Sequence, residues 1–205
     1  MVELKVEDLK KLRENKRNFN QMFDLVINIS GLDLKKPENR IRDKVKLNHK
    51  IRDRKICFIV ESLVTKANET KQKVLKASEL DFKKTEGKKL AGEYDFFVVE
   101  ATLMSKVAKI LGKYIGPRNK SMIPIPPTAK NLPLVIQDLE RTISVNLIKQ
   151  QLIQIPIGTE KLTDAELIEN FNTAYNHIAE NIENKGGIIK TAYIKLTMCE
   201  PIKLL

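Results

Sequence analysis

The 205-residue chain carries 37 lysine and arginine residues against 26 aspartate and glutamate residues, a net charge of +11. Hydrophobic residues make up 42% of it, which is enough for a buried core and excludes a disordered tail. The excess of positive charge favours a polyanionic partner, nucleic acid before an acidic membrane surface, although many basic proteins bind neither. Because the chain has no apolar run of about 20 residues and only two cysteines, we expect an intracellular protein without a membrane span or a disulfide framework.

The first quarter of the chain is predicted to form a helix and then a strand. Apolar residues recur at helical spacing in the opening segment, which predicts an amphipathic helix that ends near Asn15. The stripe consists of Val2, Val6, Leu9 and Leu12. The next segment, FDLVINIS at 23–30, alternates apolar and polar residues as a half-buried strand does. A further short strand is predicted near 45–47.

The middle of the chain has a different character. KICFIVES at 55–62 and YDFFVVEA at 94–101 are short continuous apolar runs, which are typical of strands buried on both faces. Helices are predicted at 64–77, 102–115 and 132–142. Alternating strands and helices indicate an α/β unit with a largely parallel sheet. The segment 116–131 contains four of the eight prolines and is predicted to be irregular.

The last part returns to strands and one long helix. Residues 143–158 read as two strands with a break near Lys149. Thr163 and Glu166 form a capping box for a helix that ends at the glycine pair 186–187. The apolar stripe of this helix is Leu167, Phe171, Ala174, Ile178 and Ile182.

These patterns predict two domains of different class. Both chain ends resemble an α+β domain with an antiparallel sheet, and the middle resembles an α/β domain. We therefore predict one split domain made of residues 1–54 and 149–205, with residues 55–148 inserted between its two parts. The positive charge is shared, since residues 55–148 carry 16 basic and 10 acidic side chains.

Sequence motifs of catalysis are absent. The chain has no phosphate-binding loop, no Gly-x-Gly-x-x-Gly and no Gly-x-Ser-x-Gly. His49, His177, Cys57 and Cys199 do not have the spacing of metal ligands, and nothing supports Cys199 and His177 as a nucleophilic pair. We expect neither an enzyme nor a cofactor.

The terminal strand is the most informative segment. Alternation places one set of side chains outward: Thr191, Tyr193, Lys195 and Thr197. The other set is predicted to lie in the core: Ala192, Ile194, Leu196 and Met198. Hydroxyls, an aromatic ring and a cation are suited to contacting ribose, phosphate and bases, although an ordinary solvent-facing strand has the same pattern.

Several segments in this order resemble one known family. They are FDLVINISGLDLKKPENRI, YDFFVVEATLM, LGKYIGPRNKSMIPIP, IPIGTEKLTDAELIENF and AYIKLTM. The chain is identified by them, over nearly its whole length, as a member of the ribosomal protein L1 family, and its archaeal branch is the most similar.

The resemblance implies a fold and a set of partners. It implies a split domain with an antiparallel sheet and an inserted Rossmann-like domain without a dinucleotide site. It also implies a structural constituent of the large subunit of cytoplasmic ribosomes that binds rRNA at the mobile stalk near the tRNA exit site. Further implied partners are exit-site tRNA and the leader or coding start of the protein's own mRNA, whose translation it would repress. Off the ribosome, a monomer is expected.

The resemblance also assigns candidate RNA contacts. They fall on Phe23, Gly158, Thr191, Thr197, Met198 and Cys199, and the outward pattern adds Lys195. Cys199 stands where the family has glycine, and Glu200 follows it. The family's Gly-Pro-Arg-Gly-Lys loop reads GPRNKSM here, with Asn119 for glycine. We expect secondary, salt-sensitive RNA contacts from Arg118 and Lys120 in this loop.

Two other functions remain open from the sequence. One is an RNA-binding regulator that works off the ribosome. The other is a nucleotide-dependent enzyme that uses the α/β domain, and the missing phosphate loop argues against it.

Overall fold

A computed structural model describes the chain in several stretches. The described residues are 3–15, 17–70, 72–76, 78, 84–118, 120–128, 131–148 and 150–205. Val2, Ala77, Asn119 and Lys149, which the predictions above include, lie outside them. The chain divides into a split unit, Met1–Arg52 with Arg141–Leu205, and an inserted unit, Asp53–Glu140.

The helices and strands are as follows in chain order: α1 Val6–Arg13, β1 Met22–Ser30, β2 Ile41–Lys46, β3 Ile56–Ile59, α2 Val64–Glu69, β4 Lys73–Leu75, α3 Lys84–Glu93, β5 Phe96–Glu100, α4 Met104–Ile115, β6 Ser121–Ile125, α5 Leu132–Arg141, β7 Thr142–Leu147, β8 Leu152–Thr159, α6 Asp164–Glu183, β9 Ile188–Leu196 and β10 Ile202–Lys203.

The split unit is built on an antiparallel sheet of four strands in the order β10-β9-β1-β8. Strand β1 buries every second residue along its whole length in the core that it shares with α1 and α6, because alternate side chains point to opposite faces. A second antiparallel pair joins β2 to β7. This pairing assigns Thr142–Leu147 to the split unit, whereas the sequence had placed these residues in the inserted domain.

Helix α6 follows its sequence signals closely. Thr163 and Glu166 form the reciprocal capping box, and the predicted apolar stripe is buried in the core of the split unit. Gly186 follows the helix with a positive φ of 75°, a conformation that glycine adopts without strain.

The inserted unit is built on a parallel sheet in the order β4-β3-β5-β6. Both faces of β3 and β5 are buried, α3 and α4 pack on one face, and α2 and α5 pack on the other. The predicted combination of an antiparallel α+β part and a parallel α/β part is confirmed.

Two predicted segments differ from the structure. The predicted helix 64–77 ends at Glu69, because β4 follows it and pairs with β3. The segment 116–131, predicted to be irregular, contains β6. This strand tolerates Pro124 because, among the described strands, it lies at the sheet edge and pairs with β5 alone. Helix α3 was not predicted.

No helix within the described stretches is both long and apolar enough to span a bilayer.

Candidate nucleic-acid interface

The outward face of β9 carries the predicted row of polar side chains. Thr191, Tyr193 and Lys195 are half-buried, and the residues between them, Ala192, Ile194 and Leu196, are fully buried. The predicted alternation is therefore observed as far as the end of the strand.

Strand β1 supplies partners for this row. Asn28 lies opposite Thr191, and its Nδ2 donates to the Thr191 Oγ1 at 2.7 Å. Asp24 lies opposite Lys195. Burial raises the pKa of the Asp24 carboxyl, while a hydrogen bond from Gln154 and the charge of Lys195 act in the opposite direction. Asp24 thus places an acidic group beside the only cation of the row, and it weakens the attraction of this face for phosphate.

Met198 lies on the surface, and its prediction as a core residue is wrong. Strand β9 ends at Leu196, and the Cys199 N–H donates to the Leu196 carbonyl at 3.0 Å, which closes a turn. The alternation of a strand does not continue through a turn, so Met198 is 59% exposed.

The turn after β9 is fastened to the start of β1. The Thr197 Oγ1 accepts the N–H of Met22 at 3.0 Å and lies 3.2 Å from the Met22 carbonyl, to which it donates. The Met198 N–H donates to the Oε1 of Gln21 at 3.2 Å. These bonds fix the backbone of Thr197 and Met198 while both side chains stay exposed.

Gln21 belongs to the candidate site, and the sequence did not indicate it. Its side chain is fully buried, and its Nε2 donates to the Asn15 carbonyl at 2.8 Å and to the Glu160 Oε1 at 3.1 Å. Together with its bond from Met198, it joins the end of α1, the loop after β8 and the turn after β9. A buried amide with all these partners is costly to replace, so Gln21 rigidifies this end of the sheet.

Phe23 and Gly158, both assigned as RNA contacts, are buried partners across β1 and β8. The Arg13 guanidinium lies over the Phe23 ring at 5.4 Å from its centroid. A Cβ on Gly158 would come within 2.5 Å of Leu162 and 2.6 Å of Leu167. Close packing therefore explains why residue 158 is a glycine. Because the Phe23 ring is buried as well, neither residue offers an exposed side chain to a ligand.

Phe19 is an exposed aromatic residue close in sequence to this end of the sheet. It is 51% exposed and precedes the buried Gln21 by two residues. The sequence offers one signal for it, since Phe19 stands among polar residues in RNFNQ, outside the alternation of β1. Exposed aromatic rings next to basic surface are suited to stacking on bases.

Cys199 packs inward from the turn. Its Sγ lies 3.7 Å from the Leu12 carbonyl of α1, and the side chain contacts the core of the split unit. A cleft of about 400 Å³ lies between α1 and this turn, with Lys11 and Glu200 among its lining residues. The thiol thus has a packing role beside the exposed Thr197 and Met198.

Arg118 and Lys120 bond to backbone carbonyls of helix α3 and of the residue that follows it. Arg118 Nη1 donates to the Lys88 carbonyl at 2.6 Å, and Lys120 Nζ donates to the carbonyls of Gly92 and Tyr94. The Gly92 carbonyl is one of the last four of the helix and lacks a helical partner, so the Lys120 ammonium satisfies it, whereas Arg118 bonds a carbonyl in the middle of the helix. These two residues therefore have a structural role that the sequence did not indicate.

The carboxyl end of the parallel sheet is occupied by a side chain of the protein itself. Glu100, which is 2% exposed, ends β5 beside the loop after β3. Its Oε2 accepts the N–H groups of Glu61 and Ser62 at 2.9 and 3.0 Å, and its Oε1 accepts the hydroxyls of Ser62 and Thr102 at 2.9 and 3.2 Å. Burial acts to raise the pKa of Glu100, but these donors outweigh it and hold the pKa below the ordinary value of a glutamate.

This position is where open α/β sheets bind ligands, because the strand order reverses between β3 and β5. The Glu100 carboxylate takes up the backbone donors that a phosphate group would need. The arrangement therefore argues against a nucleotide site in the inserted unit.

The histidines serve the fold of the split unit. His49 Nε2 lies 2.7 Å from the Glu169 Oε2, and His177 Nε2 lies 3.5 Å from the Asp43 Oδ2. Within the described part of the chain, no three histidine, cysteine or acidic residues are grouped as metal ligands would be.

Comparison with known proteins decides the family. The model of the ribosomal protein L1p/L10e family matches residues 9–199. The chain belongs to this family. Three archaeal relatives, each called large ribosomal subunit protein uL1, are similar over nearly their full length. The protein of Pyrococcus abyssi (strain GE5 / Orsay) is 38% identical over 199 residues, which are 95% of this chain and 91% of the relative.

The protein of Thermococcus kodakarensis is 36% identical over 95% of this chain and 92% of the relative. That of Methanosphaera stadtmanae is 39% identical over 97% of both. The predicted L1 family and its archaeal type are thus confirmed. The relatives are named as ribosomal proteins and not as enzymes, in agreement with the prediction that the chain has no catalytic activity.

Proposed function

We propose that this L1-family protein is a structural constituent of the large subunit of cytoplasmic ribosomes and binds rRNA through the end of its antiparallel sheet. The sheet-end surface consists of Phe19, Thr197 and Met198. The observation that carries the proposal is that buried Gln21 and the backbone of Met22 hold Thr197 and Met198 rigidly while their side chains remain exposed.

The chemistry of this surface suits folded RNA. A ring and a thioether can pack against an exposed base or ribose, and the Thr197 hydroxyl can bond a ribose 2′-OH. A preformed surface loses little conformational entropy on binding, so shape can supply the specificity. Lys195 and the net charge of +11 add salt-dependent affinity. Phe23, Gly158 and Cys199 act beneath the surface by positioning it, and Thr191 extends it along β9.

The same proposal extends to particular RNA partners. The bound rRNA is the mobile stalk near the exit site, where deacylated tRNA is a further partner, and the protein also represses translation of its own mRNA. Support for these partners comes from the resemblance described above. A translation reporter that carries the mRNA start tests repression, and sedimentation of the native protein away from large subunits would favour a regulator that works off the ribosome.

The direct test is filter binding of the full chain to a stalk rRNA fragment and to a scrambled hairpin. Thr197→Val should weaken stalk binding by about 1–3 kcal/mol, because an RNA hydroxyl loses its partner. Thr173→Val on α6 makes the same chemical change at a threonine whose hydroxyl donates to the Glu169 carbonyl of its own helix.

The control is needed because Thr197→Val also removes the bonds to Met22. The urea midpoint of each variant separates a loss of fold from a loss of contact. Equal affinity of wild type for the two RNAs would contradict the proposed function. Wild-type affinity in Thr197→Val would contradict the role of the hydroxyl.

A further inference from the structure

The two helical layers of the inserted unit differ sharply in charge. Helices α3 and α4 together carry six lysines and two glutamates, and α4 has no acidic residue at all. Helices α2 and α5, on the opposite face of the parallel sheet, carry two basic and three acidic residues. The helices of this unit therefore carry most of their positive charge on one side of the parallel sheet.

The lysines of α4 form a single stripe. Lys106, Lys109 and Lys113 follow one another at spacings of three and four residues, so they lie on one face of the helix, and all three are exposed. At about 1.5 Å of rise per residue, the stripe is about 10 Å long. Against the rest of the described chain, Lys106 and Lys109 form no ion pair, and the Lys113 ammonium lies 5.0 Å from the Tyr114 ring centroid.

Arg118 and Lys120, the cations first expected to contact RNA in this unit, also bond to backbone carbonyls of α3 and of Tyr94. Lys88 and Lys89 of α3 are exposed and extend the charge of the α4 stripe, since α3 packs beside α4. The exposed lysines of α3 and α4 thus lie on the outer faces of these two helices.

We propose that the exposed face of α4, with Lys88 and Lys89 of α3, binds the phosphate backbone of RNA. A membrane surface is the less suitable polyanion, because an interfacial helix needs large apolar side chains on its outer face. The large exposed apolar residues of the described chain lie elsewhere. The choice of RNA rests on the proposed function of the protein.

The test compares two variants of the full chain that change the net charge equally. Lys106→Gln/Lys109→Gln removes two charges from the α4 stripe. Asn131→Asp/Gln137→Glu adds two negative charges at exposed positions at the start of α5 and along it, on the opposite face. Binding of both to an RNA duplex of arbitrary sequence is measured across a range of salt concentrations, and binding to phosphatidylserine vesicles is measured in parallel.

The lysine variant should reduce the slope of log K against log salt by about 1 to 2, since each phosphate contact contributes somewhat less than one unit. The α5 variant should leave the slope close to that of wild type. An unchanged slope in the lysine variant, equal changes in the two variants, or lysine-dependent binding to vesicles alone would overturn the proposal. If the double lysine variant does not fold by circular dichroism, Lys109→Gln alone is compared with Gln137→Glu.

The readout is independent of specific recognition by the split unit. A duplex of arbitrary sequence measures only charge-driven contacts, whereas preference for the stalk fragment over a scrambled hairpin measures the sheet-end surface. If the protein shows no preference for the stalk fragment but the two variants still differ in salt slope, only the proposed function is contradicted. If the preference is present but the two variants have the same slope, only the α4 site is contradicted.

Discussion

Replacement of Glu100 in the inserted unit by glutamine and by alanine should have very different effects. A glutamine oxygen at the Oε2 position can still accept the N–H groups of Glu61 and Ser62. Its NH₂ group would then face the hydroxyls of Ser62 and Thr102, which can rotate to accept. Glutamine therefore keeps the bonds and loses only the charge, whereas alanine leaves two buried backbone donors without an acceptor.

The expected loss in the free energy of unfolding for each variant follows from these hydrogen bonds. Hydrogen bonds to a charged group contribute about 1 kcal/mol more than neutral ones, so Glu100→Gln should lower the free energy of unfolding by about 1–2 kcal/mol near neutral pH. Glu100→Ala should lower it by about 3–5 kcal/mol, because each orphaned donor costs about 1–3 kcal/mol. Urea unfolding, followed by circular dichroism, measures both.

The pH dependence gives a second measurement. Because the pKa of Glu100 is lowered in the folded protein, its stabilising effect is fully present above the ordinary pKa of glutamate. It is lost as the pH falls through the lowered, folded-state pKa. The difference in unfolding free energy between wild type and Glu100→Gln should therefore shrink under acid conditions. Equal losses in the glutamine and alanine variants, or a difference that does not change with pH, would refute the reasoning.

Two further variants probe the split unit. Gly158→Ala should lower the free energy of unfolding by about 1–2 kcal/mol, since its methyl group must displace Leu162 and Leu167; an unchanged urea midpoint would show that these leucines move aside freely. Phe19→Ala should weaken stalk RNA binding by about 1–3 kcal/mol per stacked base and leave the urea midpoint of this exposed site unchanged. Full affinity in that variant would remove Phe19 from the sheet-end surface.

The spacing of apolar residues correctly predicted the elements in which that spacing is regular from end to end. The apolar residues of β1 and α6 lie on one face each, so the burial pattern follows from spacing alone. Strand β4 could not be predicted in this way, because three residues form a strand only by pairing with β3. Likewise, Pro124 suggested a loop, and only its place at a sheet edge makes a strand possible.

The candidate site was predicted in part. Alternation along β9 correctly put Thr191 and Lys195 outward, and it failed at Met198, where a turn replaces the strand. Alternation along β1 already placed Phe23 on the buried face, in conflict with its assignment as an RNA contact. The role of Gln21 depends on partners 139 and 177 residues away in the chain, which no local pattern reveals.

The substitution that the resemblance implies at Cys199 would act on the support of the site and not on its exposed part. Three elements fix the turn after β9: β1 binds Thr197, Gln21 binds the Met198 backbone, and α1 lies against the Cys199 thiol. The glycine that the resemblance implies at this position would leave the contact with α1 unfilled, whereas the thiol fills it. Since the bonds to Thr197 and Met198 involve neither the thiol nor Glu200, the exposed side chains keep their positions. The departure from the family pattern is therefore compatible with an intact sheet-end surface.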